Sequence, residues 1–186
     1  MKKVLVLTAT LLLALTSGRP ARAESGSLKD TKYLGGGLGI DLPLQNWSPV
    51  YAGGGGLEVQ FGYYFDENLV FQLEAASYLW PGDSNKMGGI LTNITDARIT
   101  PGVKILGGGN GMKPYGLVAA GLDVSTVNFV MYNTTEKSAD VLLGAGLQFD
   151  LDPKTWLFVE GRYNLTFMNA GTRQDFPFLA GLLFSL

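Results

Sequence analysis

The chain has 186 residues, no cysteine and no histidine, with 14 basic groups against 16 acidic ones. Without cysteine there is no disulfide, thiolate metal site or thiol nucleophile. The scattered lysines and arginines, in slight deficit, argue against a nucleic-acid partner, which requires a basic patch.

Residues 1–23 read as a cleaved export signal of bacterial type. Lys2 and Lys3 supply the positive start, Val4 to Leu15 an apolar stretch, and Ala21-Arg22-Ala23 the cleavage site. The apolar stretch is too short for a membrane anchor, which needs about 20 residues. Cleavage leaves residues 24–186 as one domain. The signal carries four of the 14 basic groups and none of the 16 acids, so the mature domain has a net charge of −6.

Beyond residue 23 no apolar run approaches the length of a membrane helix, and the pattern has period two. The first strand, near Lys32 to Leu42, sets Leu34, Leu38, Ile40 and Leu42 against Tyr33, Gly35, Gly37, Gly39 and Asp41. The second sets Leu57, Val59, Phe61, Tyr63 and Phe65 against Gly56, Glu58, Gln60, Gly62 and Tyr64. The third sets Leu69, Phe71, Leu73 and Ala75 against Val70, Gln72, Glu74 and Ala76. The fourth places Ala97, Ile99, Val103 and Ile105 opposite Asp96, Arg98, Thr100, Gly102 and Lys104, with a bulge expected at Pro101, which cannot donate to a ladder.

The fifth, Pro114 to Asp123, is apolar on both faces and its register stays open. The sixth sets Leu143, Ala145, Leu147 and Phe149 against Gly144, Gly146, Gln148 and Asp150. The seventh sets Leu157, Val159, Tyr163 and Leu165 against Glu160, Arg162 and Asn164. The last runs from Phe176 to Leu186, with Phe178, Ala180, Leu182, Phe184 and Leu186 on one face. Most strands are about 10–12 residues long, enough to cross a bilayer at a tilt near 45°.

Short connections are expected at Asp66–Asn68, Gly107–Lys113 and Asp152–Thr155, and longer loops at 43–53, 81–90, 124–139 and 167–175. Short turns at one end, longer loops at the other and an even strand count describe an all-β, eight-stranded antiparallel up-and-down transmembrane β-barrel, with both termini in the periplasm. A soluble, ligand-holding barrel has the same period with its apolar face inward. Three features favour the opposite orientation. The polar face is rich in glycine, as a narrow lumen requires. Aromatic residues gather near strand ends (Tyr63, Tyr64, Phe65, Tyr78, Trp80, Tyr115, Trp156, Phe158, Tyr163, Phe176), as an interfacial girdle does. The terminal strand is apolar and would leave an exposed edge unless it closed onto the first.

Gly181, Phe184 and Leu186 in that strand resemble the C-terminal signal read by the outer-membrane barrel assembly machinery, with Leu186 in place of the usual terminal phenylalanine and Leu179 where a polar residue is expected. Phe-Val-Glu-Gly-Arg-Tyr at 158–163 resembles the penultimate strand of the small outer-membrane β-barrel superfamily (OmpA/OmpX-like). The resemblance implies a monomeric barrel in the lipid of the outer membrane that engages the assembly machinery through its last strand. It names no substrate.

Catalysis is not expected. Histidine is the side chain whose pKa suits proton transfer near neutrality, and a serine nucleophile here would lack its usual activator. The runs Gly35–Gly39, Gly53–Gly56 and Gly107–Gly111 do not fit a phosphate loop and need no cofactor to explain them; glycine relieves crowding and permits turns. The inward charges are the candidate site: Glu58, Glu74, Asp96, Arg98, Lys104, Glu160 and Arg162. Counting back from the hairpin loop sets Glu74 almost opposite Arg98 and Gln60 beside Glu74 across the other hairpin. Buried charges must pair, so the set reads as a salt-bridge network filling the lumen, with a proton or ion path as the functional alternative. An extracellular ligand would meet the loops, where Asp83, Asn85, Lys86, Tyr132, Asn133, Glu136 and Lys137 are candidates. The reading is a structural or surface-interaction protein with a filled lumen; the alternative is a narrow pore or transporter for small or hydrophobic solutes.

Overall fold

Alternation of this kind leaves every strand with one face for lipid and one for the interior, and closure alone satisfies every backbone group. The computed structural model of the chain describes residues 28–44, 53–82, 91–109, 111–169 and 171–186. The export signal and the loop residues Asp83, Asn85 and Lys86 lie outside the described residues.

Eight strands follow in order: β1 (Lys32–Pro43), β2 (Gly54–Tyr64), β3 (Leu69–Pro81), β4 (Leu91–Leu106), β5 (Met112–Phe129), β6 (Asn133–Asp152), β7 (Thr155–Met168) and β8 (Gly171–Ser185). Each pairs antiparallel with its neighbours, and β1 with β8, to close the barrel. The seam runs from Tyr33↔Ser185 to Pro43↔Asp175 without a break. One end carries the turns after β2, β4 and β6 together with Lys32 and Ser185, and is called the turn end; the opposite end is the loop end. At the turn end the Asp66 carboxylate accepts from the Asn68 and Leu69 amides, at 2.7 and 2.8 Å, which fixes the β2–β3 turn.

The apolar face points outward. Leu38 is 71% exposed and Leu122 66%, while Glu58, Gln60, Asp96 and Arg162 on the other face are buried. The ambiguous β5 turns Tyr115, Leu117, Ala119, Asp123 and Ser125 inward and Val118 and Leu122 outward.

Three expectations are corrected. Segments 124–139 and 167–175 are mostly strand. β5 and β6 continue to a turn closed by the Phe129 amide on the Tyr132 carbonyl at 2.9 Å, and β7 and β8 continue to Met168↔Gly171. Beyond the lipid no face needs to be apolar, so the strands run on through Thr, Ser, Asn and Val without the alternation that marks a strand in sequence. Gly171, with φ of 134°, occupies a backbone region that glycine alone adopts easily. Pro101 makes no bulge. Its strand stays in register with β3 (Leu73↔Pro101), and the β5 partners step from Ile99↔Leu122 to Gly102↔Ala119 unshifted.

The third correction concerns the aromatic residues. Tyr64, Tyr78, Trp80, Tyr115, Trp156 and Phe158 are inside the barrel, each at most 5% exposed, and Tyr33 joins them. Only Tyr63, Phe65, Tyr163 and Phe176 of the expected girdle stay on the outer face. The reason is space. Each of several inward glycines faces an inward ring on the adjacent strand. Tyr33 is opposite Gly62, Tyr78 opposite Gly56 and Tyr115 opposite Gly146. A Cβ on Gly62 would lie 2.0 Å from the Tyr33 ring, and one on Gly56 would lie 2.3 Å from Tyr78. The glycines are seats for rings, and the rings fill a lumen too narrow for two large side chains side by side.

Candidate functional site: the ionic lumen

Among the rings lie two networks of charge. Eight acids and four bases are buried among the described residues: Asp41, Glu58, Glu74, Asp96, Asp123, Asp140, Glu160 and Asp175 against Arg98, Lys104, Arg162 and Arg173. Each sits at an inward position of its strand, where lipid cannot reach it; a charge on the lipid face at mid-depth costs about 2–4 kcal/mol for Arg or Lys.

The network nearer the turn end is centred on Arg162 of β7. Its Nη1 lies 2.6 Å from Glu74 Oε1 of β3 and 2.9 Å from Glu58 Oε2 of β2. Its Nε donates to Glu160, two residues away on the same face of β7. Tyr115 donates to the other Glu160 oxygen at 2.6 Å, Gln60 donates to Glu58 at 2.9 Å, and Gln72 donates to Glu74 at 3.3 Å. Lys104 completes this layer differently. Its ammonium sits 4.4 Å from the centre of the Tyr115 ring, 5.8 Å from Tyr33 and 6.0 Å from Phe158, and makes no hydrogen bond. Ring faces supply the partial negative charge that holds it.

The network nearer the loop end has two arginines side by side. Arg98 donates through Nε to Asp123 at 2.9 Å, through Nη1 to Asp175 at 3.0 Å and through Nη2 to Asp96 at 3.2 Å. Arg173 donates through Nη2 to Asp96 at 2.5 Å and to Asp123 at 3.0 Å, and through Nη1 to the Ser125 hydroxyl at 2.7 Å. The Trp80 ring covers Arg173 at 4.7 Å, and the Tyr78 ring covers Arg98 at 5.2 Å. Thr166 donates to Asp140 at 2.9 Å.

The seven charges named from sequence thus divide between two layers. Glu58, Glu74, Lys104, Glu160 and Arg162 form one, and Asp96 and Arg98 belong to the other. Gln60 pairs with Glu74 across β2 and β3. Glu74 and Arg98 are two ladder positions out of direct pairing: the register sets Glu74 against Thr100 and Arg98 against Ala76, and Glu74 bonds to Arg162 instead. The register between β3 and β4 is thus shifted by two residues from an exact Glu74–Arg98 pairing.

Five members were missed: Asp41, Asp123, Asp140, Arg173 and Asp175. Arg173 and Asp175 fell in a segment read as loop, yet they continue the inward parity of Leu179, Gly181 and Leu183. Asp123 lay in the strand of open register. Asp41 was seen on the polar face of β1, and nothing in the sequence gave it a partner.

In the last strand Gly181 faces inward, while Phe184 and Leu186 face outward at 49% and 74% exposure. The Leu186 amide donates to the Lys32 carbonyl at 2.9 Å, and that of Ser185 to the Lys154 carbonyl at 2.8 Å. Among the described residues no group of His, Cys, Asp and Glu is arranged to hold a metal ion.

A closed antiparallel barrel with an apolar skin and a charged, ring-filled interior defines an integral membrane β-barrel. The sequence matches the outer membrane protein beta-barrel domain over residues 8–180. The chain belongs to that family, which places it in the lipid of the outer membrane. No protein of curated function matches it.

Solved structures show the same fold at low identity. Neisserial surface protein A (NspA) superposes with a TM-score of 0.67 at 14% identity, over 86% of this chain and 99% of that one. Outer membrane protein OprG from Pseudomonas aeruginosa gives 0.59 at 12%, over 85% and 96%. Ail, the attachment invasion locus protein of Yersinia pestis, gives 0.58 at 14%, over 85% and 99%. At such identities the likeness is one of fold alone.

Proposed function

We propose that the protein is a non-enzymatic barrel that anchors surface structure in the outer membrane and does not conduct solutes through its lumen. The observation that carries this reading is the filled interior. Rings at Tyr33–Tyr64–Trp156 and at Tyr78–Trp80 pack with two networks in which Arg162 and Arg173 each bind two carboxylates across the barrel and Arg98 binds Asp175 across it. A solute would have to break several buried ion pairs to pass.

The other parts of the reading rest on sequence. Residues 1–23 serve as the cleaved signal, both termini face the periplasm, the barrel is a monomer, and Gly181, Phe184 and Leu186 are read by the assembly machinery. The loop end then faces outward, and the β5–β6 hairpin carries Val130, Met131 and Tyr132 exposed at its tip, at 64%, 93% and 60%. A ligand would meet that end. The names of two fold relatives, a surface protein and an attachment invasion locus protein, agree with such a role.

The excess of carboxylates over cations favours a second reading, a narrow path for cations. Planar-bilayer recording of the purified barrel separates the two. Little or no conductance is expected, and a large, steady conductance would put the pore first.

A further inference from the structure

The loop-end network holds one carboxylate to which neither of its arginines hydrogen-bonds. Asp41, on β1, is 0% exposed, and neither of its oxygens receives a hydrogen bond. Its nearest cation is Arg98, whose Nη2 lies 4.0 Å from Oδ2, beyond hydrogen-bonding distance. Its other close neighbour is a second carboxyl, Asp175 of β8: the same Arg98 Nη2 that lies 4.0 Å from Asp41 Oδ2 is 3.1 Å from Asp175 Oδ1. The two lie on adjacent strands, two ladder steps apart, since Asp41 pairs with Pro177 and Pro43 with Asp175.

The two carboxyls differ in what they receive. Asp175 takes Arg98 Nη1 at 3.0 Å and Asn164 Nδ2 at 2.9 Å on Oδ2, and Arg98 Nη2 at 3.1 Å on Oδ1. Three donors, two of them from a cation, are the surroundings of an ionised carboxylate. Asp41 receives none. Two carboxylates have no hydrogen to share, and a buried carboxylate that receives no donor is disfavoured even with a guanidinium 4.0 Å away. A protonated carboxyl has one donor of its own. We propose that Asp41 carries a proton at neutral pH and donates it to Asp175, so that one proton latches β1 to β8 across the seam that closes the barrel.

The surroundings supply no competing partner for Asp41. From β4 come Arg98, committed to three other aspartates, and Asp96, held by Arg173. From β8, besides Asp175, comes Arg173, committed to Asp96 and Asp123. β5 presents Asp123, held by both arginines, and β6 presents Asp140, bonded to Thr166. β7 offers Asn164, whose amide is used on Asp175. β3 presents the Trp80 and Tyr78 rings over the arginines, and the adjacent β2 positions are glycine.

The folded barrel then holds a proton that the unfolded chain releases. Stability must fall as pH rises above the ordinary aspartate range, until Asp41 ionises in the fold as well. One retained proton corresponds to about a tenfold change in the unfolding equilibrium constant per pH unit.

The test compares the refolded full barrel with D41N in lipid vesicles, by urea unfolding from acid to mildly alkaline pH and by infrared spectroscopy of the carboxyl C=O stretch. The amide of D41N keeps the shape and the donor. The variant should fold, and its unfolding constant should rise by about tenfold less per pH unit than the parent's. The parent at neutral pH should show a protonated-carboxyl band, shifted by deuterium, that D41N lacks. Equal pH slopes, or no such band, overturn the proposal. So does a parent whose stability depends on added sodium or calcium at fixed ionic strength, an effect lost in D41N, since a cation would then fill the place given to the proton. Failure of D41N to fold while D175N folds also overturns it, because the acceptor would then be dispensable and the donor's shape insufficient; failure of both does so because an amide that keeps the shape and the donor would then not replace the protonated Asp41.

Discussion

Gly181 of β8 stands directly opposite Gly37 of β1, and the Phe158 ring of β7 lies across both. A Cβ on Gly181 would come 2.6 Å from Phe158 Cε1 and 2.1 Å from the Gly36 carbonyl oxygen. The glycine read as part of an assembly motif therefore has a packing role at the closing seam, whatever else recognises it.

Gly181→Ala should accordingly lower the urea midpoint of the refolded barrel, with an overpacking cost of about 1–3 kcal/mol. Gly181→Ala should cost less in a Phe158→Ala background than in the parent, by the part due to the ring, and the part due to the backbone contact should remain. An unchanged midpoint in Gly181→Ala would remove the close approach from this account.

Removal of Arg98 should cost more. Asp96, Asp123 and Asp175 would lose their shared donor within a buried layer, and breaking a buried pair typically costs about 3–5 kcal/mol. Arg98→Ala should melt well below the parent, with Arg98→Lys between them, because an ammonium cannot span three carboxylates as a guanidinium does. Arg162→Ala should behave alike through Glu58, Glu74 and Glu160. Conductance in either variant should equal or exceed that of the parent. A melting temperature unchanged in both would show the networks to be energetically idle.

Deleting Phe184, Ser185 and Leu186 removes the Leu34↔Phe184 and Tyr33↔Ser185 pairs and the Leu186 amide bond to Lys32. The truncated chain should fail to reach the outer membrane as a heat-resistant species in detergent. Normal levels of folded protein would disprove the role given to the terminal strand.

Chymotrypsin added to intact cells should cut the β5–β6 tip near Met131 and Tyr132, which are 93% and 60% exposed. The turn at Phe65–Asn68 should be spared. Cleavage at Phe65 with the tip intact would mean that the barrel is inverted.

The sequence made the strand count, the outward apolar face and seven inward charges legible, because inside a bilayer each strand must alternate and the parity of a charge decides its side. The same rule failed wherever the bilayer stopped. Thr126, Asn128, Thr134 and Glu136 are strand residues among polar neighbours, so nothing in their order marked them as such. The aromatic residues misled for another reason. Proximity to a strand end suggested a girdle, yet parity alone would have put Tyr64, Tyr78 and Trp156 inside, each in line with inward residues of its own strand. Pairings across the lumen, such as Arg162 with Glu58, were out of reach, since the partners are 104 residues apart and not in adjacent strands.

A hollow tube in a stretched or compressed sheet flattens, because its wall bends more easily than it extends. Arg162 reaches from β7 to β2 and β3, and Arg98 from β4 to β8, so the wall is tied along two diameters at different heights. Under lateral tension these struts make the barrel respond as a solid rod, whose cross-section stays round while the lipid around it thins. On the proposed reading, rigidity of that kind suits a post that holds its hairpins at a fixed angle to the surface.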